Sequence, residues 1–212
     1  MKILSFIATF LTKFSLNNET GRKKESNDED FKWITLFQKG KKMYFDKLVI
    51  KYKDNIYNLS HKMMKNNDDA EDVAQETFIK LYKAMNKFKF QSAFYTYLYR
   101  ICINTCKTKL GIRYSLQRGT LLSLNKNNLP DHEIESNHPT PEKALGNKTL
   151  NEIFKKTISK LPSPDKEVLI LRDIEGLSYT EISEITNLNL GTIKSKISRS
   201  RTKLKSLMEK WL

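Results

Sequence analysis

The sequence predicts an all-α fold: two small helical domains joined by a flexible linker, the C-terminal one a helix-turn-helix. Apolar residues recur at helical spacing from residue 31 to about 113 and again beyond about 141. Between these blocks, residues 114–140 are rich in Asn, Pro and acidic residues and lack sustained periodicity. Residues 176–201 combine a helix-capping pattern, a short break and a second amphipathic helix.

The composition favours a polyanionic partner. The 212 residues include 38 Lys and Arg against 24 Asp and Glu, a net charge of +14. Such a field attracts nucleic acid. A Lys-rich composition without a ligand is the alternative, so the placement of the charges has to decide. A hydrophobic content of 39% is enough for two modest cores.

The N-terminal extension, 1–29, has no assigned role. Residues 1–16 are apolar but shorter than the roughly 20 residues that a membrane-spanning helix needs. A helix on a membrane surface or on a partner is the alternative. Residues 17–30 are polar and contain Gly21, which predicts a flexible lead-in.

The two cysteines are predicted to be buried, reduced thiols. Cys102 and Cys106 lie four positions apart in a helical pattern, and no His lies near them in sequence to complete a zinc site. Reduced thiols suit the cytosol, and we expect neither a metal nor another cofactor.

The first domain, 30–113, segregates its charges between successive helices. Residues 66–79 contain five acids and no base, whereas residues 80–113 contain eight bases and no acid. Acids in the first turn complement the helix dipole, but this does not explain Asp72 and Glu76. A helical projection places three polar side chains and one apolar side chain on the outer face: Asp72, Gln75, Glu76 and Ile79. An exposed acidic face on a basic chain indicates a basic protein partner.

The stretch 87–110 mixes aromatic and basic residues. Six aromatic side chains fall within residues 88–99. Rings can stack on unpaired bases while cations hold the backbone, so this composition favours single-stranded nucleic acid. Most of the rings have to fill the bundle, and we expect only two or three to face nucleic acid.

The second domain, 141–212, carries the sharper local pattern. Ser163, Pro164 and Asp165 predict a helix start with Ser163 as the cap. Ser178 and Glu181 have the spacing of a capping box, which predicts a helix from Tyr179. After a break at 187–190, residues 190–212 contain seven bases and one acid. Two short helices around a tight turn fit a unit whose second helix enters the major groove. If about five of these cations neutralise phosphates, log affinity should fall with log salt at a slope of roughly −4 to −5.

Four segments resemble one family in sequence order. They are DAEDVAQETFIKLY (69–82), FYTYLYRICINTCKTKL (94–110), LPSPDKEVLILRDIEGLSYTEI (161–182) and GTIKSKISRSR (191–201). Together they closely resemble the extracytoplasmic-function (ECF) group of sigma-70 factors, which are specificity subunits of bacterial RNA polymerase. This chain departs from the family pattern at Tyr97, where the family usually has Trp, and at Thr108 and Gly111.

The resemblance implies that 30–113 is region 2, 114–140 a linker and 141–212 region 4. Contacts with the clamp coiled coil of core polymerase are implied for Asp72, Gln75, Glu76 and Ile79. Contacts with the minus-ten element are implied for Lys87, Phe88, Lys89, Phe94, Tyr95, Tyr97, Arg100, Asn104 and Lys107. Contacts with the minus-thirty-five element are implied for Thr192, Lys194, Ser195, Lys196, Ser198, Arg199 and Arg201.

The expected function is therefore promoter recognition as a polymerase subunit. The expected partners are core RNA polymerase, promoter DNA as duplex and as melted single strand, and an anti-sigma factor; no small-molecule substrate is expected. We expect a cytoplasmic protein, at the nucleoid in holoenzyme or held at the membrane by an anti-sigma factor. A helix-turn-helix regulator that acts without polymerase is the alternative. An enzyme is not expected, because no nucleophile–base or metal-ligand constellation lies on the basic segments.

Overall fold

The structure is a computed structural model that describes residues 20–64, 66–124, 157–158 and 160–209. Within these ranges, side chains are described from residue 28 to 111 and from 157 onward. The described residues form helices and connections with no strand, and the all-α prediction is confirmed. The helices are α1 (Thr20–Gln38), α2 (Met43–Met63), α3 (Asn67–Met85), α4 (Phe94–Leu124), α5 (Ser163–Leu169), α6 (Tyr179–Thr186) and α7 (Leu190–Met208).

Helices α1 to α4 form the first bundle. Each presents an apolar face at helical spacing, and these faces meet in one core because burying them removes apolar area from water. The largest fully buried side chains of this bundle include Ile34, Phe37, Leu48, Ile56, Leu59, Leu81, Phe94, Leu98 and Ile103. Helix α3 begins at Asn67, where the side chain of Asn66 accepts a hydrogen bond of 2.6 Å from the Asp69 N–H.

Helix α1 begins inside the stretch that was expected to be a flexible lead-in. It extends from Thr20, and Gly21 falls in its first turn, where the backbone N–H groups lack helical partners in any case. The end of the lead-in is fixed by a buried acid. Asp30 accepts 2.5 Å and 2.6 Å hydrogen bonds from the Tyr52 hydroxyl and the Lys51 ammonium group of α2. These long-range contacts have no local sequence pattern.

Helix α4 continues past the predicted end of the bundle. The sequence placed that end near Arg113, whereas the helix runs to Leu124. Residues 114–124 contain several good helix formers, such as Leu, Gln and Arg, and the next Pro is Pro130. The first part of the predicted linker is thus helical, and the rest of it, 125–140, lies outside the described residues.

Helix α5 starts one residue before the expected position and ends in a widened turn. Pro162, and not Ser163, occupies the cap position, so Ser163 is the first helical residue. The helix continues into a single π turn, Ile170–Ile174, in which the Glu175 N–H donates to the Ile170 carbonyl at 2.9 Å. Gly176, at a φ of 67°, then reverses the chain toward α6.

Helices α6 and α7 form the predicted helix-turn-helix. Both hydrogen bonds of the capping box are present: Ser178 N–H to Glu181 at 2.6 Å and Glu181 N–H to the Ser178 hydroxyl at 3.2 Å. Asn187 ends α6 in the left-handed conformation, at a φ of 58°. Asn189 caps α7 by accepting a 2.7 Å bond from the Thr192 N–H, so α7 begins at Leu190.

Cys102 and Cys106 are buried free thiols in α4, as predicted. The hydrogen bond that the Cys106 thiol donates to Cys102, followed by burial, raises the pKa of Cys106. Among the described helices, none combines the length and apolarity needed to cross a bilayer. The apolar residues 1–16 lie outside the described residues.

Candidate nucleic-acid interface

Helix α3 turns an acidic row toward the surface. The four side chains predicted to face outward, Asp72, Gln75, Glu76 and Ile79, are all exposed, and Ile79 reaches 55% exposure. The opposite face of the helix packs into the core through Ala70, Val73, Ala74, Thr77 and Leu81. An apolar side chain among exposed acids is a surface suited to a protein partner.

Bases of the same domain border this row. Lys109 lies 2.6 Å from Asp72 and 3.2 Å from Asp69, and the hydrogen bond to Asp72 contributes most to a raised pKa of Lys109. Lys80 lies 2.9 Å from Glu76 in the next turn of α3. These exposed pairs exchange readily with solvent, so the carboxylates remain available to a basic partner.

Helix α4 presents a polar face with one ring. Arg100, Asn104 and Lys107 are exposed at helical spacing, and Tyr97 is half-buried one turn earlier. The Arg100 guanidinium lies 5.4 Å from the centroid of the Tyr97 ring. A cation next to a ring and an amide on one helix face can hold the backbone and one base of a separated strand.

Two rings implied to contact the minus-ten element lie in the core instead. Phe94 is 0% exposed and Phe88 is 7% exposed. Phe88 is surrounded by other rings, with Tyr97 at 4.9 Å and Phe94 at 6.1 Å between centroids. Their aromatic character follows from packing, and neither ring can stack on a base without leaving the bundle.

Phe90 is the exposed ring of this loop. It is 37% exposed and has a φ of 58°, a left-handed conformation that bulky residues rarely adopt. Its ring contacts Phe31 and Phe88, each at 5.1 Å between centroids. Exposed Lys87 and Lys89 precede it along the chain. Tyr95 is half-buried against Tyr99, at 6.2 Å. The interleaved pattern of the sequence did not distinguish Phe90 from its buried neighbours, because burial depends on the turn between α3 and α4.

The outer face of α7 is basic and hydroxyl-rich. Lys194, Ser195, Ser198 and Arg199 are exposed, and Thr192 is half-exposed in the first turn. The opposite side packs through Ile193, Ile197, Ser200, Leu204 and Met208. Short side chains near the N-terminus and cations further along suit approach to base edges and phosphates of a duplex.

Two cations implied to contact duplex DNA are engaged inside the second domain. Arg201 binds the buried carboxylate of Asp173 through two nitrogens, and this contact raises the pKa of Arg201. Lys196 lies 3.5 Å from Asp165 of α5. Both side chains fasten α7 to α5 and to the π turn that follows it. Among the residues with described side chains, no group of three or more His, Cys, Asp or Glu is placed to hold a metal ion.

Two family models match the chain. The model described as Sigma-70 region 2 matches residues 48–111, and that described as Sigma-70, region 4 matches residues 151–204. The RNA polymerase sigma-H factor of Pseudomonas aeruginosa is 35% identical over 178 residues, covering 83% of this chain and 92% of that protein. The ECF RNA polymerase sigma-E factor of Escherichia coli is 34% identical over 165 residues, covering 77% and 86%.

Solved structures share the fold. CnrH, in complex with the cytosolic domain of CnrY, has a TM-score of 0.60 at 22% identity over 85% of this chain and 97% of that chain. The sigma factor RpoE from Bartonella quintana, in complex with the anti-sigma factor NepR, has a TM-score of 0.56 at 25% identity over 78% and 96%. With both regions matched in order and these relatives covered along most of their length, the chain belongs to the ECF group of sigma-70 family RNA polymerase sigma factors.

Proposed function

We propose that the chain binds core RNA polymerase through the acidic row of α3 and directs it to promoters through α4 and α7. In this proposal, α4 and the loop before it hold the melted minus-ten element, and α7 reads the minus-thirty-five element as duplex. The chain supplies positioning and strand capture and no catalytic group of its own. It works in the cytoplasm, at the nucleoid when bound to polymerase.

The exposed acidic row is the observation that carries this proposal. Asp72 and Glu76 pair with Lys109 and Lys80, but both carboxylates stay exposed, and surface pairs of this kind are weak enough for a more basic partner to replace. Ile79 adds an apolar contact at the end of the row. A basic helical surface of the polymerase clamp would complement both the two carboxylates and the apolar side chain of Ile79. A DNA-binding protein that acts alone has no use for this row.

Capture of the minus-ten element relies on few rings. The candidates are the exposed Phe90 in the loop and the half-buried Tyr97 on α4, next to Arg100. Stacking returns roughly 1 to 3 kcal/mol per base, whereas separating duplex DNA costs about 1.4 kcal/mol per base-pair step on average. One or two captured bases can therefore start the opening, but they cannot sustain a long bubble. The remainder has to come from the polymerase.

Duplex binding by α7 relies on fewer cations than the sequence count indicated. Lys196 and Arg201 are engaged by acids of the same domain, whereas Lys194, Arg199 and Lys203 are exposed on α7. With about three phosphates neutralised, log affinity should fall with log salt at a slope of roughly −3.

An anti-sigma factor is a further proposed partner. The Bartonella quintana relative is described in complex with an anti-sigma factor. The acidic row that would meet polymerase is a surface that an inhibitor can cover by competition. Such an inhibitor could also hold the chain near the membrane.

Charge reversal on α3 tests the proposal. Glu76→Lys should weaken binding of the full-length chain to purified bacterial core polymerase by at least about tenfold, because a cation would then face a basic surface. Asp54→Lys on α2 is the matched control: it changes an exposed acid by the same charge, and its affinity should stay within about twofold of the wild type.

Run-off transcription provides the second readout. Wild-type chain added to core polymerase should create new transcript starts, and Glu76→Lys should lose them at equal concentration. The proposal fails if Glu76→Lys binds core polymerase as tightly as the wild type and the Asp54→Lys control do. It also fails if the bound wild type leaves the transcript start sites unchanged. The regulator that acts without polymerase would then be the better account.

A further inference from the structure

The two domains contact each other through paired charges. Glu175 follows the π turn. Its carboxylate accepts hydrogen bonds from the Lys62 ammonium group of α2 at 2.7 Å and from the Tyr99 hydroxyl of α4 at 3.2 Å. Lys62 and Glu175 are 113 positions apart in the sequence. One carboxylate of the second domain therefore joins two helices of the first.

A second group of contacts lies beside the first. Glu167 of α5 lies 2.8 Å from the Lys107 ammonium group of α4, and its side chain is only 4% exposed. The neighbouring Lys166 donates a 3.0 Å hydrogen bond to the Met63 carbonyl at the end of α2. That carbonyl belongs to the last turn of a helix, where a cation satisfies an otherwise unpaired acceptor.

Burial makes these pairs depend on the contact between the domains. Burial raises the pKa of Glu167 against the opposing effect of Lys107. Burial, followed by the charge of Glu175, holds the pKa of Tyr99 well above its usual value. A buried charge that loses its partner is costly. Substitution of one member of a pair should therefore favour separation of the domains, because the remaining charged group then reaches water.

We propose that Glu175, Glu167, Lys62, Lys107 and Tyr99 form a latch that holds the free protein closed. In this form the ammonium group of the partly exposed Lys107 is withdrawn from DNA by its pairing with Glu167. In the closed form, Glu76 and Ile79 on α3 and Arg199 on α7 remain exposed. Polymerase and duplex DNA can thus approach the closed chain. Lys107 can bind the melted minus-ten strand only after the latch opens, and this consequence rests on the proposed function.

The chain between the domains permits opening. Residues 125–156 connect α4 to the described part of the second domain and comprise 32 positions. Fully extended, they would span at most about 110 Å. Two turns of duplex DNA measure about 70 Å. Separation of the domains across a promoter is therefore compatible with the chain length, and the paired charges set the balance between the closed and open forms.

Small-angle X-ray scattering on the free full-length chain tests the latch. A compact chain of this length has a radius of gyration of about 17 Å. Lys62→Glu and Glu175→Lys should each place like charges together and raise the radius by several ångströms relative to the wild type. The double variant, Lys62→Glu with Glu175→Lys, restores opposite charges and should return to the wild-type value.

Unchanged radii in both single variants would overturn the latch, and so would a double variant that stays expanded. Circular dichroism establishes that each variant is folded. Glu175→Gln is the milder substitute if Glu175→Lys does not fold, and it too should expand the chain. Neither result depends on promoters or polymerase.

Binding of a fluorescein-labelled 12-nucleotide oligothymidine tests the withdrawal of Lys107. Lys62→Glu lowers the net charge from +14 to +12, so charge alone predicts weaker binding. An open latch predicts binding at least about threefold tighter than the wild type, with the gain lost on adding Lys107→Gln. Expansion without that gain would leave the latch standing and overturn the withdrawal of Lys107. Failure of Glu76→Lys to affect polymerase binding would instead count only against the proposed function.

Discussion

Arg201 of α7 binds the carboxylate of Asp173, a side chain that is 4% exposed at the π turn after α5. The contact orients the second helix of the helix-turn-helix against its own domain. We therefore propose that Arg201 stabilises the domain, whereas Arg199 on the outer face of α7 binds DNA.

Substitution of these two arginines should separate stability from binding. Arg201→Gln leaves a buried carboxylate without its cation, and we expect it to lower the free energy of unfolding by about 1 to 3 kcal/mol. Arg199→Gln should leave stability within about 0.5 kcal/mol, while reducing the salt slope of duplex binding by about 1. Chemical denaturation and fluorescence anisotropy at several salt concentrations measure both. A stable Arg201→Gln variant that binds weakly would reverse the assignment.

Phe90 allows backbone strain and ring loss to be measured separately. Phe90→Gly relieves the positive φ of 58°, which costs a bulky residue about 1 to 3 kcal/mol, but forfeits ring contacts worth about 0.5 to 1.5 kcal/mol each. Phe90→Ala loses the ring and keeps the strain. We therefore expect the Gly variant to be more stable than the Ala variant by about 1 kcal/mol.

Promoter opening should respond to the ring alone. Holoenzyme with Phe90→Gly or Phe90→Ala should bind promoters but show reduced permanganate reactivity of minus-ten thymines, whereas Phe90→Tyr should resemble the wild type. Wild-type reactivity in both ring-deleted variants would remove Phe90 from strand capture and leave the half-buried Tyr97 as the candidate ring.

Asp30 predicts a pH dependence of the first domain. Burial raises its pKa against the hydrogen bonds from Lys51 and Tyr52. The folded state therefore holds a proton more tightly than the unfolded chain does. Lowering the pH through the raised pKa toward the ordinary value of 3.8 should stabilise the wild type relative to Asp30→Asn. Urea denaturation of both proteins between pH 7 and pH 4 measures the difference, and parallel profiles would contradict it.

Local patterns predicted the helices better than the contacts between them. The Ser178–Glu181 capping box and the outward row of α3 follow from spacings of three and four residues, which one helix fixes by itself. These two predictions required no knowledge of any other element.

The remaining features depend on residues far apart in sequence. Phe31 of α1 contacts both Phe88 and Phe90. Phe88 is the more buried ring because it also packs against Phe94 and Tyr97 of α4. The acidic partners of Arg201 and Lys196 lie 28 and 31 positions earlier in the sequence. A local pattern cannot show such partners, so both cations were counted with the DNA-binding face. The burial of Asp30 in α1 similarly depends on Tyr52, which lies 22 positions away.

The π turn at Ile170–Ile174 constrains the length of the chain in its region. A π turn accommodates one residue more than the α-helical repeat. Deletion of a single residue there would restore regular winding and keep later positions in phase, whereas one further inserted residue would rotate them by about 100°. Asp173 and Glu175 would then leave their facing cations, so this segment should tolerate the loss of one residue better than the gain of another.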